Sequence, residues 1–163
     1  MEAARPATAA DVPRLADLCR MALAELGARE RGGAVFVARE ARAEPFDTGL
    51  ASAVADPDVV VIAGMLDDVV LGYATGRVEG LRDGTSLGII DELFVEPDAR
   101  AIGVGEAMMD QLLDWFRQRT CIGVDSTALP GARETKNFFE ESGFTARLLV
   151  MHHRMEQGVR PSP

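Results

Sequence analysis

The segment from Ile89 to Phe116, IIDELFVEPDARAIGVGEAMMDQLLDWF, joins a strand-like apolar run to an amphipathic helix through a turn carrying Pro97, Arg100, Gly103 and Gly105. Glycines at such a junction bring open backbone to a helix start, where the first amides lack helical partners and the dipole end is positive. Amides from about 101 to 106 can converge there on an anion such as a phosphate, with Arg100 adding charge. No Gly-Lys-Ser/Thr follows, and the third glycine position of a dinucleotide fingerprint holds Met108, so neither of those phosphate-binding patterns is met. A purely structural role for the two glycines is the alternative.

The rest of the chain decides what surrounds this turn. Asp11 is a candidate cap for a first helix, in which Val12, Leu15, Leu18, Cys19, Ala22 and Leu26 recur at helical spacing before Gly27. Ala34 to Ala55 is alanine-rich and helical, with a break forced by Pro45. Val59 to Gly64 and Val69 to Val78 are two strands of a hairpin turned by Asp67-Asp68, and Ser86 to Val95 is a third strand. The helix from Gly103 to Arg119 carries Val104, Met108, Leu112, Trp115 and Phe116 on one stripe. A strand over Cys121 to Leu129, a helix over Ala132 to Ser142 capped by Gly143, and a last strand from Phe144 to Met155 complete the order. Strands alternating with helices after an antiparallel meander predict a single α/β (α+β) domain with a mixed, mostly antiparallel sheet flanked by helices. The domain is expected to span residues 1–156, with 157–163 a flexible tail.

Composition narrows the function classes. With 163 residues, 47% of them hydrophobic, the chain can bury a sizeable core and is not of disordered type. Seventeen basic against 26 acidic residues give a net charge of −9, a poor platform for nucleic acid or anionic membranes. No apolar run reaches the roughly 20 residues of a membrane helix, and the first residues lack a secretory pattern, so a cytoplasmic protein is expected. Cys19 and Cys121 read as reduced, packed thiols, and no cluster has metal-ligand spacing. His152 and His153 decorate the last strand.

Arg100, Gly103 and Gly105, behind Leu93-Phe-Val-Glu-Pro97, resemble motif A of the GNAT (general-control-related N-acetyltransferase) superfamily. Phe138-Phe-Glu-Glu-Ser-Gly-Phe144 is similar to the helix-and-turn signature that follows it in that family. The resemblance covers nearly the whole chain. It implies acetyl-CoA, or another acyl-CoA, as donor, with its diphosphate on the backbone of Arg100, Ala101, Ile102, Gly103, Val104, Gly105 and Glu106. The pantetheine arm would lie along Phe94 and Val95 like an extra strand, where the family's sheet splays. The acceptor would be a primary amine of a small molecule or a protein. The resemblance also allows a homodimer, built through the strand Phe144 to Met155.

Transfer of an acyl group to an amine calls for a base. Glu92 is the candidate, acting directly or through water, with a salt-bridged strand residue as the alternative reading. Asp91 is the alternate base; strand alternation puts it on the opposite face unless a bulge intervenes. The family's tyrosine acid is replaced by Phe139, and the single tyrosine, Tyr73, is then the only tyrosine that can serve as general acid; aromatic packing is its other reading. Water or Ser126 can supply the proton instead, and a thiol pKa of about 8.5 means that thiolate departure does not strictly need an acid. Loss of the tyrosine keeps open a second function, a non-catalytic acyl-CoA sensor or partner-binding module.

Overall fold

The computed structural model describes residues 1–156; the expected tail at 157–163 lies outside them. Five strands run in the order β1 (Glu2–Pro6), β2 (Val59–Leu66), β3 (Val69–Gly80), β4 (Ser86–Val95) and β5 (Gly123–Asp125) across one sheet. The first three pairings are antiparallel and β4–β5 is parallel, giving the expected mixed sheet. Helices α1 (Val12–Gly27), α2 (Gly33–Arg39) and α3 (Phe46–Ala55) precede β2; α4 (Val104–Gln118) and α5 (Arg133–Glu141) flank β5 in sequence. No helix among the described residues is long and apolar enough to cross a membrane.

The sheet separates two apolar layers. Leu15, Leu18 and Cys19 of α1 and Leu50 of α3 pack with Val61, Tyr73 and Phe94 on one face. Val104, Met108, Leu112 and Phe116 of α4 pack with Ile62, Ala74 and Ile90 on the other. Phe116 lies so close to the sheet that a Cβ on Gly88 would stand 2.6 Å from its ring. That glycine is there because a helix bearing a large ring crosses the strand at backbone distance.

Three elements differ from the sequence expectation. β1 was not expected, because EAARP has no β-branched or aromatic residue; pairing along the free side of β2, Glu2 to Leu66 through Pro6 to Ile62, overrides its weak propensity. The strand over 121–129 contracts to three residues, Gly123–Asp125. The strand expected from Phe144 to Met155 does not form: this stretch has no helical or strand structure and its residues are exposed from Thr145 onward.

Two features of β4 position the site. Thr75 opposes Glu92 while Gly76 opposes Ile90, so Asp91 is the extra residue of a β-bulge. On its other side β4 pairs with β5 only from Leu87 to Ile89. Among the described residues, the outer edge of β4 from Ile90 to Val95 therefore has no strand partner, over about 17 Å at strand rise.

Candidate active site

The turn after β4 is built from backbone. A short 3-10 turn at Pro97–Ala99 leads to Arg100 in extended conformation, then Ala101 at φ 65° and Gly103 at φ 91°, and α4 starts at Val104. Left-handed residues two apart fold the amides of this turn into a concave arrangement suited to an anion. The first helical bond here is from Ala107 N–H to Gly103 O, so the amides of Val104, Gly105 and Glu106 lie ahead of the helical ladder. The two glycines also answer to the fold. Gly103 holds a positive φ, and a Cβ on Gly105 would stand 3.1 Å from the Phe138 ring of α5.

Arg100 is placed differently from the expectation that its charge faces the anion. Its Nε donates to Val95 O at 2.9 Å and its Nη2 to Glu25 Oε2 at 2.7 Å, with the guanidinium 5.4 Å from the Phe94 ring centre. It ties the end of β4 to α1. Phe94 and Val95, the strand residues expected beside the pantetheine arm, have buried side chains in the two opposite layers, so the edge they offer there is their backbone. Ala101 and Ile102 are exposed on the turn, and Glu106 is exposed on the first turn of α4.

Glu92 lies at the centre of a charge-balanced cluster. Its Oε1 accepts from Arg42 Nε at 2.9 Å, Arg42 Nη2 at 2.5 Å and Thr75 Oγ1 at 2.9 Å. Its Oε2 accepts from Tyr73 OH at 2.7 Å and, more distantly, from Cys19 Sγ at 3.7 Å. Tyr73 is fully buried, and burial followed by the Glu92 charge holds its hydroxyl protonated far above the ordinary phenol range. Burial likewise pushes the Cys19 thiol up to about 11. One guanidinium and three neutral donors thus surround the Glu92 side chain and fill its lone pairs.

The bulge corrects the expected alternation of Asp91 and Glu92. Ile90 packs in the α4 layer, whereas Asp91 bonds Arg77 Nε at 3.1 Å, and Arg77 shares its face of β3 with Tyr73 and Thr75. Both carboxylates thus turn toward the α1–α3 layer, as a bulge re-aims a side chain. Asp91 keeps 41% of its side chain exposed, against 12% for Glu92. Burial raises the Asp91 carboxyl above the usual carboxylate range, the Arg77 charge and hydrogen bond oppose this, and the Glu92 charge adds to it. Asp91 borders a cavity lined also by Arg77, by Phe36 of α2 and Glu40 just beyond it, and by Asp125 and Ser126, at the point where β4 and β5 part.

Glu92, Tyr73 and the turn from Arg100 to Glu106 all border the unpaired half of β4. Arg42, Thr75 and Cys19 were not anticipated: Arg42 stands in a loop without a motif, 50 positions from its partner. Phe139 is buried in the α4 layer against Phe144, with ring centres 5.2 Å apart.

The model of the acetyltransferase (GNAT) family matches residues 24–144 of this chain. Glucosamine 6-phosphate N-acetyltransferase of Trypanosoma brucei brucei is 29% identical over 94 residues, which is 52% of this chain and 62% of that protein. The chain thus spans less than two thirds of the length of this curated relative. The structure of AAC(6')-Iy in complex with the bisubstrate analogue CoA-S-monomethyl-acetylneamine superposes with a TM-score of 0.73 at 14% identity, covering 96% of this chain and 99% of that one. An aminoglycoside acetyltransferase from an uncultured soil metagenomic sample, in complex with sisomicin, gives a TM-score of 0.70 at 16% identity, covering 96% of each chain. With the family model matched over residues 24–144 and the mixed sheet shared with these structures, the chain belongs to the GNAT acetyltransferase family.

Proposed function

We propose that this protein is an N-acetyltransferase that moves an acetyl group from acetyl-CoA to a primary amine of a small, cationic acceptor. One observation carries the reading. The unpaired edge of β4 runs from the polar cavity at Asp91 to the amide-lined start of α4. The turn fits a diphosphate through the amides of Ala101 to Glu106, and the free backbone of Phe94 and Val95 fits the amide groups of a pantetheine arm. Acetyl-CoA, when held by this turn and edge, would supply the acyl group as an activated thioester.

The chain's own groups divide the remaining work. Asp91 and Glu92 form the proton-accepting pair proposed for the amine. Asp91 offers the accessible oxygen, while Glu92 holds the bulge through Arg42, Tyr73 and Thr75. Glu40, Asp91 and Asp125 line the cavity together with Arg77, and each carboxylate has an arginine partner, Arg39, Arg77 and Arg147 respectively, so the cavity is close to charge-balanced. The overall charge of −9 suits a polycationic amine such as an aminoglycoside better than a phosphorylated sugar. A second reading, acyl-CoA binding without turnover, is favoured by the buried Phe139 and by the commitment of the Tyr73 hydroxyl to Glu92. Tyr73 is then a positioning residue rather than a thiolate-directed acid.

Titration calorimetry with acetyl-CoA, followed by steady-state thiol release with aminoglycoside, glucosamine 6-phosphate and peptide amines, tests the proposal. Amine-dependent release, fastest with the polycation, supports it. Binding without release for any amine supports the second reading. No binding up to about millimolar, some −4 kcal/mol, overturns both.

A further inference from the structure

Asp91 and Glu92 are neighbours on one face, yet they are held in different ways. Both oxygens of Glu92 are taken, one by Arg42 and Thr75 and the other by Tyr73. Asp91 is tied at one oxygen: Arg77 Nε donates to Oδ2 at 3.1 Å, and among the described residues no hydrogen bond reaches Oδ1. The register makes this pairing. Arg77 opposes Ile89 across the β3–β4 ladder, and Asp91, two positions beyond Ile89, is its diagonal neighbour on the same face. Both side chains line the cavity where β4 and β5 part, and both stay half-exposed there. The other charged groups around Asp91 already have partners. Glu92 is paired with Arg42, Asp125 of β5 with Arg147, and Glu40, just beyond α2, lies 3.4 Å from Arg39. Among the described residues, Arg77 is the one cation bonded to Asp91.

We propose that Arg77 is the positioning residue for Asp91, holding Oδ2 in place so that Oδ1 is left for the incoming amine. This rests on Asp91 being the proton acceptor of the proposed reaction. The guanidinium acts in two ways. Its Nε–H fixes the orientation of the carboxylate through a directed, charge-assisted bond. Its charge opposes the protonation that the site otherwise favours: burial raises the Asp91 carboxyl, the Arg77 charge and hydrogen bond lower it, the Glu92 charge raises it and the Arg42 charge lowers it. Without Arg77 the carboxyl would hold its proton to higher pH, and a group that must be ionised to accept a proton would become active later in the titration. Lysine at this position keeps a positive charge but not the rigid planar donor, so it separates the two effects.

The pH profile of kcat/KM for thiol release, with the amine that wild type turns over fastest, tests this in wild type, Arg77→Met and Arg77→Lys. Carbon-13 NMR titration of the Asp91 carboxyl in the same folded proteins gives a reading that does not need turnover. Arg77→Met is expected to move the acid limb and the Asp91 titration up together by about one pH unit, with about tenfold lower kcat/KM on that limb. Arg77→Lys is expected to return both toward wild type while leaving the plateau kcat lowered about three- to tenfold. Arg77→Gln replaces Arg77→Met where the methionine variant does not fold cooperatively. An even loss of activity across pH, with the Asp91 titration unmoved, is what a purely structural role gives, and it overturns the proposal. Wild type that binds acetyl-CoA but releases no thiol with any amine overturns the base assignment and this role with it. Turnover in wild type with an unmoved limb in Arg77→Met overturns the role of Arg77 alone.

Discussion

Arg42 and Glu92, 50 positions apart, meet through two charge-assisted hydrogen bonds on a single carboxylate oxygen, with side chains only 20% and 12% exposed. The pair fastens the loop between α2 and α3 to the bulged half of β4. Arg42→Met leaves a mostly buried carboxylate without its counter-charge. Breaking such pairs costs about 3–5 kcal/mol, and the three remaining neutral donors on Glu92 lower the expected loss to about 2–3 kcal/mol. Adding Glu92→Gln to Arg42→Met is expected to recover part of it. Urea unfolding measures both, and a loss below about 0.5 kcal/mol for Arg42→Met would reduce the contact to an ordinary surface pair.

Asp91 is expected to show opposite effects on activity and stability. Its carboxyl is raised by burial, so the folded state holds a proton at higher pH than the unfolded state. The ionised form therefore costs stability at neutral pH, and that cost disappears as pH falls through the raised value. Asp91→Asn should keep or slightly raise the melting temperature. It should also lower kcat/KM about 10²–10⁴-fold and remove the acid limb of its pH profile. Near-normal activity in Asp91→Asn with complete loss in Glu92→Gln would transfer the base to Glu92.

Gly103 holds φ 91°, and a Cβ there would stand 2.9 Å from Glu2 Cγ, the movable end of a side chain. Gly103→Ala is expected to cost about 1–2 kcal/mol from the left-handed backbone. Gly103→Asp adds a like charge where a diphosphate would sit and should weaken acetyl-CoA binding at least about 100-fold, against less than about tenfold for alanine. Titration calorimetry separates the two, and equal affinities would remove the turn from the site.

Arg5 and Asp11 pair at 2.7 and 2.9 Å, and Asp11 also accepts from Thr8 N–H at 2.8 Å. The Arg5 hydrogen bond comes first in holding the Asp11 carboxyl down to about 2. A depressed folded value means that the stabilisation is present above about pH 4 and is lost as pH falls toward 2. With Arg5 39% exposed, screening limits the contribution to about 1–2 kcal/mol. Asp11→Asn should lose that amount at pH 7 and show a flatter acid limb in urea-unfolding free energies between about pH 4 and 2.

Much of the architecture was legible in local chemistry. The Asp67-Asp68 hairpin, with φ of 46° and 68°, and the cap at Gly143, with φ 90°, stand where turn residues put them. The stripe of α4, from Val104 to Phe116, faces the sheet as its period requires. β1 was not legible, since Glu2–Pro6 is a strand only because β2 offers an edge. The bulge at Asp91 was also hidden, because DEL carries no glycine or proline to announce a register change. Arg42 had no motif and could be found only through its partner.

Sequence alone determined the family, the glycine turn and the identity of the strand beside it, because each depends on residues within a few positions of one another. Tertiary structure decided which carboxylates share a face, what neutralises Glu92, where Arg100 spends its charge and which edge of the sheet stays open. Those outcomes depend on register and on contacts between distant segments. A one-residue bulge reverses which face a side chain takes, and no local pattern in the strand records it.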